Sequence, residues 1–339
     1  MDAVVLHNGN EIVLQDRPEP EAKPGEVLFK SEHCGICGTD LHATLLKDLF
    51  VPNIIMGHEF AGTVVDIGKG VEGWNVGDKA AINPNGNICG ECEQCRQGYP
   101  NLCFTGVRVR AIGVQRDGGM ANLVSLPMQI LNKLPDTVST LQGAWVEPLA
   151  TVVRGVRVSG VTVGSSTLII GAGPIGLLAV QTLKNTGVGN IIVVEPSAFR
   201  REKAKTLGAD IVLDPLKENI TEIIGSEIKS PEYIFECSGH PSAVNTAVQL
   251  INARGVITVI GVSPELLKVD AGQLFFKEAI IRGSIIYVDE FEIAIRLLEQ
   301  GLIDVEALTT EVIELKNFQY GFNRLSKAGD AIKILIKTS

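Results

Sequence analysis

Four cysteines, Cys89, Cys92, Cys95 and Cys103, stand at CxxCxxCx7C spacing in a glycine-containing loop with Gly90 and Gly98. Four thiolates can wrap one tetrahedral zinc and leave no position open, which marks a structural site. An iron–sulfur cluster uses the same ligands, and disulfides would pair them. The spacing and a reducing compartment favour zinc over both. Glu91 and Glu93 inside the loop oppose a nucleic-acid zinc module.

A second set is mixed in type. Cys34-Gly35-Ile36-Cys37-Gly38-Thr39-Asp40-Leu41-His42 is followed by Gly57-His58-Glu59. Sulfur, imidazole and carboxylate in an incomplete set leave room for water or substrate, as a catalytic zinc requires. Alone, His58 would be a core histidine, and Cys34 or Cys37 a buried apolar filler. The combination is what points to metal.

A third stretch holds no reactive group. Gly171-Ala172-Gly173-Pro174-Ile175-Gly176 follows the apolar run Thr167–Ile170. The first glycine allows a tight turn and the second admits a pyrophosphate. The third lets a helix pack on the strand, its N-terminus facing the phosphates. A second apolar run, Ile191–Val194, ends in Glu195, where a carboxylate suits a ribose 2′-OH and repels a 2′-phosphate. This favours NAD over NADP. Arg200 and Arg201 follow closely and are able to hold a phosphate. Cys237, at the end of a later strand, is expected to line the cofactor cleft.

These groups need elements to hold them. The chain has 339 residues, enough for two domains, with 45% hydrophobic residues and a net charge of −9. That acidity disfavours nucleic acid as a partner. No apolar run reaches membrane-spanning length and no signal-peptide pattern opens the chain, so a cytoplasmic protein without membrane partners is expected. Residues 1 to about 145 predict short strands at Ala3–Leu6, Ile12–Leu14, Glu26–Ser31, Ala61–Ile67 and Lys79–Ile82, a partly open barrel. From about 150 strands and helices alternate: helices near Ala198–Leu207, Ile220–Ile228 and Ser242–Ile251, strands at Ile211–Leu213, Tyr233–Glu236, Val256–Ile260 and Ala279–Ile286. Such βα units build an α/β, doubly wound parallel sheet. A helix over Phe291–Glu299 and a tail with strands near Val312–Leu315 and Ala331–Ile336 are expected to return to the first domain.

Taken in order, CGICGTDLH, GHE, the four-cysteine lobe and GAGPIG make the chain resemble the zinc-dependent medium-chain dehydrogenases/reductases, the alcohol dehydrogenase superfamily, over essentially its whole length. The EPL of Glu147-Pro148-Leu149 resembles the polyol and threonine dehydrogenase branches. The resemblance implies a GroES-like catalytic domain over 1–149 and 288–339, with the structural lobe at about 86–106, and a Rossmann NAD-binding domain over 150–287. It implies two zincs per chain. Cys37 rather than Cys34 is the implied cysteine ligand, with His58, and with Glu59 as a ligand in some states. Glu147 takes the position of a third ligand and contacts zinc either directly or through water.

The implied reaction is oxidation of the CH–OH group of a small-molecule alcohol to the ketone, hydride passing to NAD. Thr39 and then His42 carry the proton to solvent, and Arg200 touches the adenosine ribose. Ala43 to Phe50 is expected to wall the substrate pocket. Polyol dehydrogenases commonly carry Arg-Tyr where this chain has Ile286-Tyr287, which weakens a sorbitol-type assignment and leaves open a secondary alcohol of polyol, diol or cyclitol-like type. A primary alcohol or L-threonine-type substrate is the alternative. A zinc-independent quinone reductase and a non-catalytic NAD-binding protein are the rivals. A homo-oligomer, tetramer or dimer, is expected.

Overall fold

The first strand, β1 (Asp2–His7), turns back on β2 (Glu11–Asp16) with Val4 opposite Leu14. Asn8 and Gly9 both take positive φ, 49° and 71°, as a tight hairpin turn requires. The computed structural model describes residues 1–46, 48–263, 265–327 and 329–338. They form two units, one of residues 1–147, 291–301 and 305–339, the other of 148–290 and 302–304.

In the first unit β3 (Glu26–Gly35) is the organising strand. It pairs antiparallel with β5 (Glu59–Ile67) and with β7 (Leu123–Pro127), while β4 (Ile54–Ile55) joins β1. β6 (Lys79–Ile82) and β8 (Leu131–Lys133) extend the sheet beyond β5. The sequence pattern alone ends β3 at Ser31. Pairing with β5 carries it on through Cys34 and Gly35, so that Gly35 faces Glu59. The apolar face includes Val27, Phe29 and Phe60, all buried, the two rings meeting edge to face at 6.1 Å.

The second unit is a parallel sheet. Its strands are β9 (Ser166–Ile170), β10 (Asn190–Val194), β11 (Ile211–Leu213), β12 (Tyr233–Glu236), β13 (Val256–Val259) and β14 (Ile280–Gly283), in the order β11-β10-β9-β12-β13-β14. The order reverses between β9 and β12, where doubly wound sheets open a crevice at the carboxyl ends of the strands. All of β9 is buried, which is why its sequence is a continuous apolar run. Helix Pro174–Thr186 has proline in its first turn and ends on Gly187 at φ 78°.

Further elements depart from expectation. Helix Ala271–Lys277, capped by Asp270, had no apolar period to reveal it, since Phe275 and Phe276 are exposed. β14 is shorter than Ala279–Ile286: its pairing with β13 ends at Gly283, and Ile286 has left extended geometry at φ 43°. The tail strands β15 (Thr309–Glu314) and β16 (Lys333–Lys337) pair in parallel, and β16 lies antiparallel to β3 with Leu335 opposite Gly35. Lys333 thereby comes next to the mixed ligand set.

Candidate metal centres and dinucleotide crevice

The short helix Gly38–Leu41 starts where β3 ends, and Cys37 caps it. The Thr39 N–H donates to Cys37 Sγ at 3.5 Å, and the Cys37 N–H donates to Asp40 Oδ2 at 2.9 Å. Gly57 turns the chain into β5 at φ 95°. A Cβ there would lie 2.6 Å from Cys34 Sγ and 2.9 Å from the Met120 amide, so only glycine fits. Ligand atoms of Cys37, His58 and Glu59 then all lie within 4.8 Å of one another. Asp40 is fully buried beneath them, its Oδ1 3.5 Å from His58 Nδ1. One carboxylate thus orients both the cysteine and the imidazole, as carboxylates do behind metal-bound histidines.

Lys333 lies opposite. Its Nζ pairs with Glu59 Oε2, both side chains 3% exposed, and sits 5.7 Å from the centre of the Trp145 ring. A Cβ on Gly35 would clash with both members of the pair. Two carboxylates, Asp40 and Glu59, and the Cys37 thiol surround His58 and Lys333. Burial alone would lower the His58 pKa, but Asp40 and then Cys37 push it well above its ordinary value. Lys333 behaves likewise: burial lowers it, while Glu59 and Cys37 more than restore it.

This environment fits a divalent cation. It offers sulfur, nitrogen and oxygen donors within 4.8 Å of one another, with the buried Asp40 carboxylate beside the imidazole. Cys34 is buried in the apolar core outside the ligand group, its thiol pushed up by burial and then by Asp40 and Glu59. Glu147, in the first turn of helix Val146–Ser159, is buried but also stands outside the group of three. Thr39 is half-buried. His42 is exposed, with Nδ1 2.7 Å from the Gly38 carbonyl. A carbonyl only accepts, so Nδ1 carries the hydrogen and neutral His42 keeps Nε2 as an acceptor. Ala43 and Phe50 are buried in the core of the first unit. Leu45 is 75% exposed, and Lys47 lies outside the described residues.

The four thiols of Cys89, Cys92, Cys95 and Cys103 are all free and mutually within 4.8 Å. Gly90 and Gly98 turn the loop with φ of 76° and 81°. Backbone N–H groups of Cys92 and Cys89 point at the sulfurs of Cys89 and Cys103, at 3.3 and 3.4 Å. For Cys103, burial is outweighed by the amides of Cys89 and Gly106, which bring its thiol down to about 6. Burial and then Cys92 raise Cys95 to about 12. The set fits a closed tetrahedral metal site.

In the second unit a Cβ on Gly176 would fall 1.9 Å from the Gly171 carbonyl oxygen, so the third glycine is needed for helix to meet strand. Gly171, at φ 93°, is pressed by Ser238, whereas nothing lies within 4 Å of a Cβ on Gly173. That open side leaves room for a group such as a pyrophosphate to approach the backbone. Pro174 and Ile175 begin the helix. Glu195 is 5% exposed; its Oε2 accepts from the Ala172 N–H at 2.7 Å and its Oε1 from the Ser197 N–H at 2.9 Å. Arg201 is committed elsewhere: it donates to the carbonyls of Glu195 and Pro196 and pairs with Asp214 at 2.9 Å. The Arg200 N–H is capped by Ser197 Oγ. Cys237 follows β12, its thiol raised by burial and then by Glu236, which makes it a poor nucleophile.

The chain matches the family model for the alcohol dehydrogenase GroES-like domain over residues 23–136 and that for zinc-binding dehydrogenases over 174–300. It is 33% identical to (R,R)-butanediol dehydrogenase of Bacillus subtilis, covering 99% of both chains. It is 31% identical to sorbitol dehydrogenase of Bombyx mori, covering 98% of this chain and 97% of that one. A solved zinc-binding dehydrogenase from Sinorhizobium meliloti, bound to NADP, superposes with a TM-score of 0.93 at 32% identity over 99% and 98% of the two chains. The chain belongs to the zinc-dependent medium-chain dehydrogenases.

Sequence reasoning missed three parts of this dehydrogenase's site: Asp40, Lys333 and the Trp145 ring, which is fixed by its Nε1–H donating to Thr309 Oγ1 at 3.0 Å. Asp40 lies inside the motif CGICGTDLH. Lys333 carries its own signal, a lone cation within the run Ala331-Ile332-Lys333-Ile334-Leu335-Ile336.

Proposed function

We propose that the chain is an NAD-dependent zinc dehydrogenase that oxidises a secondary alcohol, of diol, polyol or cyclitol-like type, to its ketone. The observation that carries this reading is the convergence of Cys37, His58 and Glu59 over buried Asp40, in a chain that also holds an intact dinucleotide fingerprint. Zinc held by Cys37 and His58, with Glu59 and Glu147 as the nearby carboxylates, supplies Lewis acidity that lowers the pKa of an alcohol oxygen. The chain's own groups take the proton: the Thr39 hydroxyl first, then His42, an exposed residue, through Nε2. A nicotinamide held in the crevice would supply the acceptor for the carbinol hydride. Cys89, Cys92, Cys95 and Cys103 hold the second zinc and keep their lobe folded.

Gly171, Gly173, Pro174, Ile175 and Gly176 bind the pyrophosphate. Glu195 selects NAD, supported by its anchored carboxylate and by the engagement of Arg201 with Asp214. Arg200 serves the adenosine ribose and Cys237 the cleft lining. The Sinorhizobium relative holds NADP, so both cofactors belong in the test. The substrate class rests on the butanediol and sorbitol dehydrogenases the chain is similar to. The metal-holding domain is taken as residues 1–149 and 288–339, and the NAD-binding domain as 150–287. A cytoplasmic homo-oligomer is proposed as the working form. Among the described residues no helix is long and apolar enough to cross a membrane, and edge strand β14 carries exposed Ile280, with exposed Phe275 and Phe276 on the preceding helix. The test is a broad alcohol panel with NAD and NADP in parallel, zinc being measured on the same sample. Two zincs per chain with NADH formed from secondary alcohols is expected. Fewer than two zincs, or no turnover across the panel, overturns the reading.

A further inference from the structure

Glu236, the last residue of β12, is fully buried and pairs with no cation among the described residues. Its Oε1 takes three donors: the Ser238 N–H at 2.7 Å, the Ser238 hydroxyl at 2.6 Å and the Gly239 N–H at 2.8 Å. Its Oε2 is buried and completes no hydrogen bond, and a Cβ on Gly261 would lie 2.6 Å from it. Burying a carboxylate with one oxygen left without a hydrogen bond is expensive, so its presence calls for a reason beyond filling space.

The turn it holds has a definite place. β12 is the strand beside β9 where the sheet order reverses. Ser238 presses on Gly171: a Cβ on that glycine would be 2.8 Å from Ser238 Cβ and 3.0 Å from its amide nitrogen. On the other side, a Cβ on Gly239, at φ 64°, would be 2.4 Å from the Val262 carbonyl oxygen. The Ser238–Gly239 turn is therefore wedged between the fingerprint turn after β9 and the loop after β13. Its backbone amides are turned inward on one carboxylate oxygen.

We infer that Glu236 is a positioning residue for the dinucleotide: it fixes the Ser238–Gly239 turn so that Gly171 and the adjoining loop form one wall of the crevice. This rests on the reading of that crevice as the dinucleotide site. Two effects of removing the carboxylate have opposite signs. Loss of a buried negative charge near a pyrophosphate site would tighten binding. Release of a turn held by three charge-assisted bonds would weaken it. Positioning requires that the second effect wins. It also requires that Gln, whose carbonyl oxygen accepts the same three donors, largely replaces Glu.

The experiment is NADH binding by fluorescence titration to the zinc-loaded wild type, Glu236→Gln, Glu236→Ala and Ser238→Ala. Zinc content and the KM for alcohol at saturating NAD are measured on the same preparations. Expected are a dissociation constant for Glu236→Gln within about threefold of wild type, weakening of at least about tenfold for Glu236→Ala, and weakening of about threefold for Ser238→Ala, which loses one of the three donors. Zinc stays at two per chain and alcohol KM within about twofold. The inference is overturned if Glu236→Ala or Ser238→Ala binds NADH as well as wild type or better. It is overturned equally if Glu236→Ala loses zinc and alcohol affinity in step with NADH, the sign of a general structural role. If Glu236→Ala does not fold, Ser238→Ala decides by the same two criteria. Failure of wild type itself to bind NADH would instead sink the functional reading.

Discussion

Replacing Lys333 by Met separates the ion pair from the metal. Lys333 and Glu59 are both 3% exposed, and Met keeps most of the apolar stem that packs near Trp145. Removing one member of a buried pair leaves the other charge uncompensated, at a cost of about 3–5 kcal/mol. That cost applies in full only while nothing else neutralises Glu59. With a divalent cation bound at Cys37 and His58, Glu59 has a second positive partner, so the loss falls to about half or less. By linkage the difference, on the order of 2 kcal/mol, reappears as zinc affinity at least about tenfold tighter in the variant. The assay is urea unfolding of wild type and Lys333→Met, each with the catalytic zinc present and with it removed while the four-cysteine zinc is retained, together with zinc titration. Equal destabilisation in both metal states, or weaker zinc binding by the variant, would refute the reasoning.

Cys103→Ser should lower the zinc count from two to one and the Tm by on the order of 5–10 °C, with NADH affinity unchanged; metal analysis and calorimetry check this. Glu195→Ala removes the acceptor of the Ala172 and Ser197 N–H groups and should weaken NAD binding by at least about tenfold. It should also shift preference toward NADP, read from parallel titrations. Glu26 gives a pH prediction. Burial alone would raise its carboxyl, but Ser125 and Arg116 hold it below the ordinary value. A depressed carboxylate contributes stability above its unfolded pKa and loses that contribution as pH falls through the folded one. The stability gap between wild type and Glu26→Gln should therefore be full at pH 7 and shrink below about pH 4.3. A gap that is constant from pH 7 to pH 3 would contradict it.

What was legible in the sequence was local. The CxxCxxC spacing, the glycine fingerprint and the helix Ala198–Leu207 are each set by neighbours within a few turns, and the helix appears with those bounds. The parallel sheet was readable because strands buried on both faces are apolar throughout. What escaped was tertiary. Gly35 reads as a strand end until its partner Glu59 is known. Lys333 reads as a strand residue until β16 lies beside β3. Helix Ala271–Lys277 escaped for another reason: with Phe275 and Phe276 outward, its pattern has no buried face to announce it. Asp40 and Glu236 were passed over because a carboxylate reads as surface by default, yet both are fully buried under backbone donors.

The most direct test of the central claim is zinc content and NADH formation from a secondary alcohol, compared between wild type and Cys37→Ser. The expected result is two zincs and turnover in wild type. In the variant one zinc, NADH binding retained and turnover lost are expected. A variant that still oxidises the alcohol with one zinc per chain would contradict the assignment of Cys37, His58 and Glu59 as the catalytic metal centre.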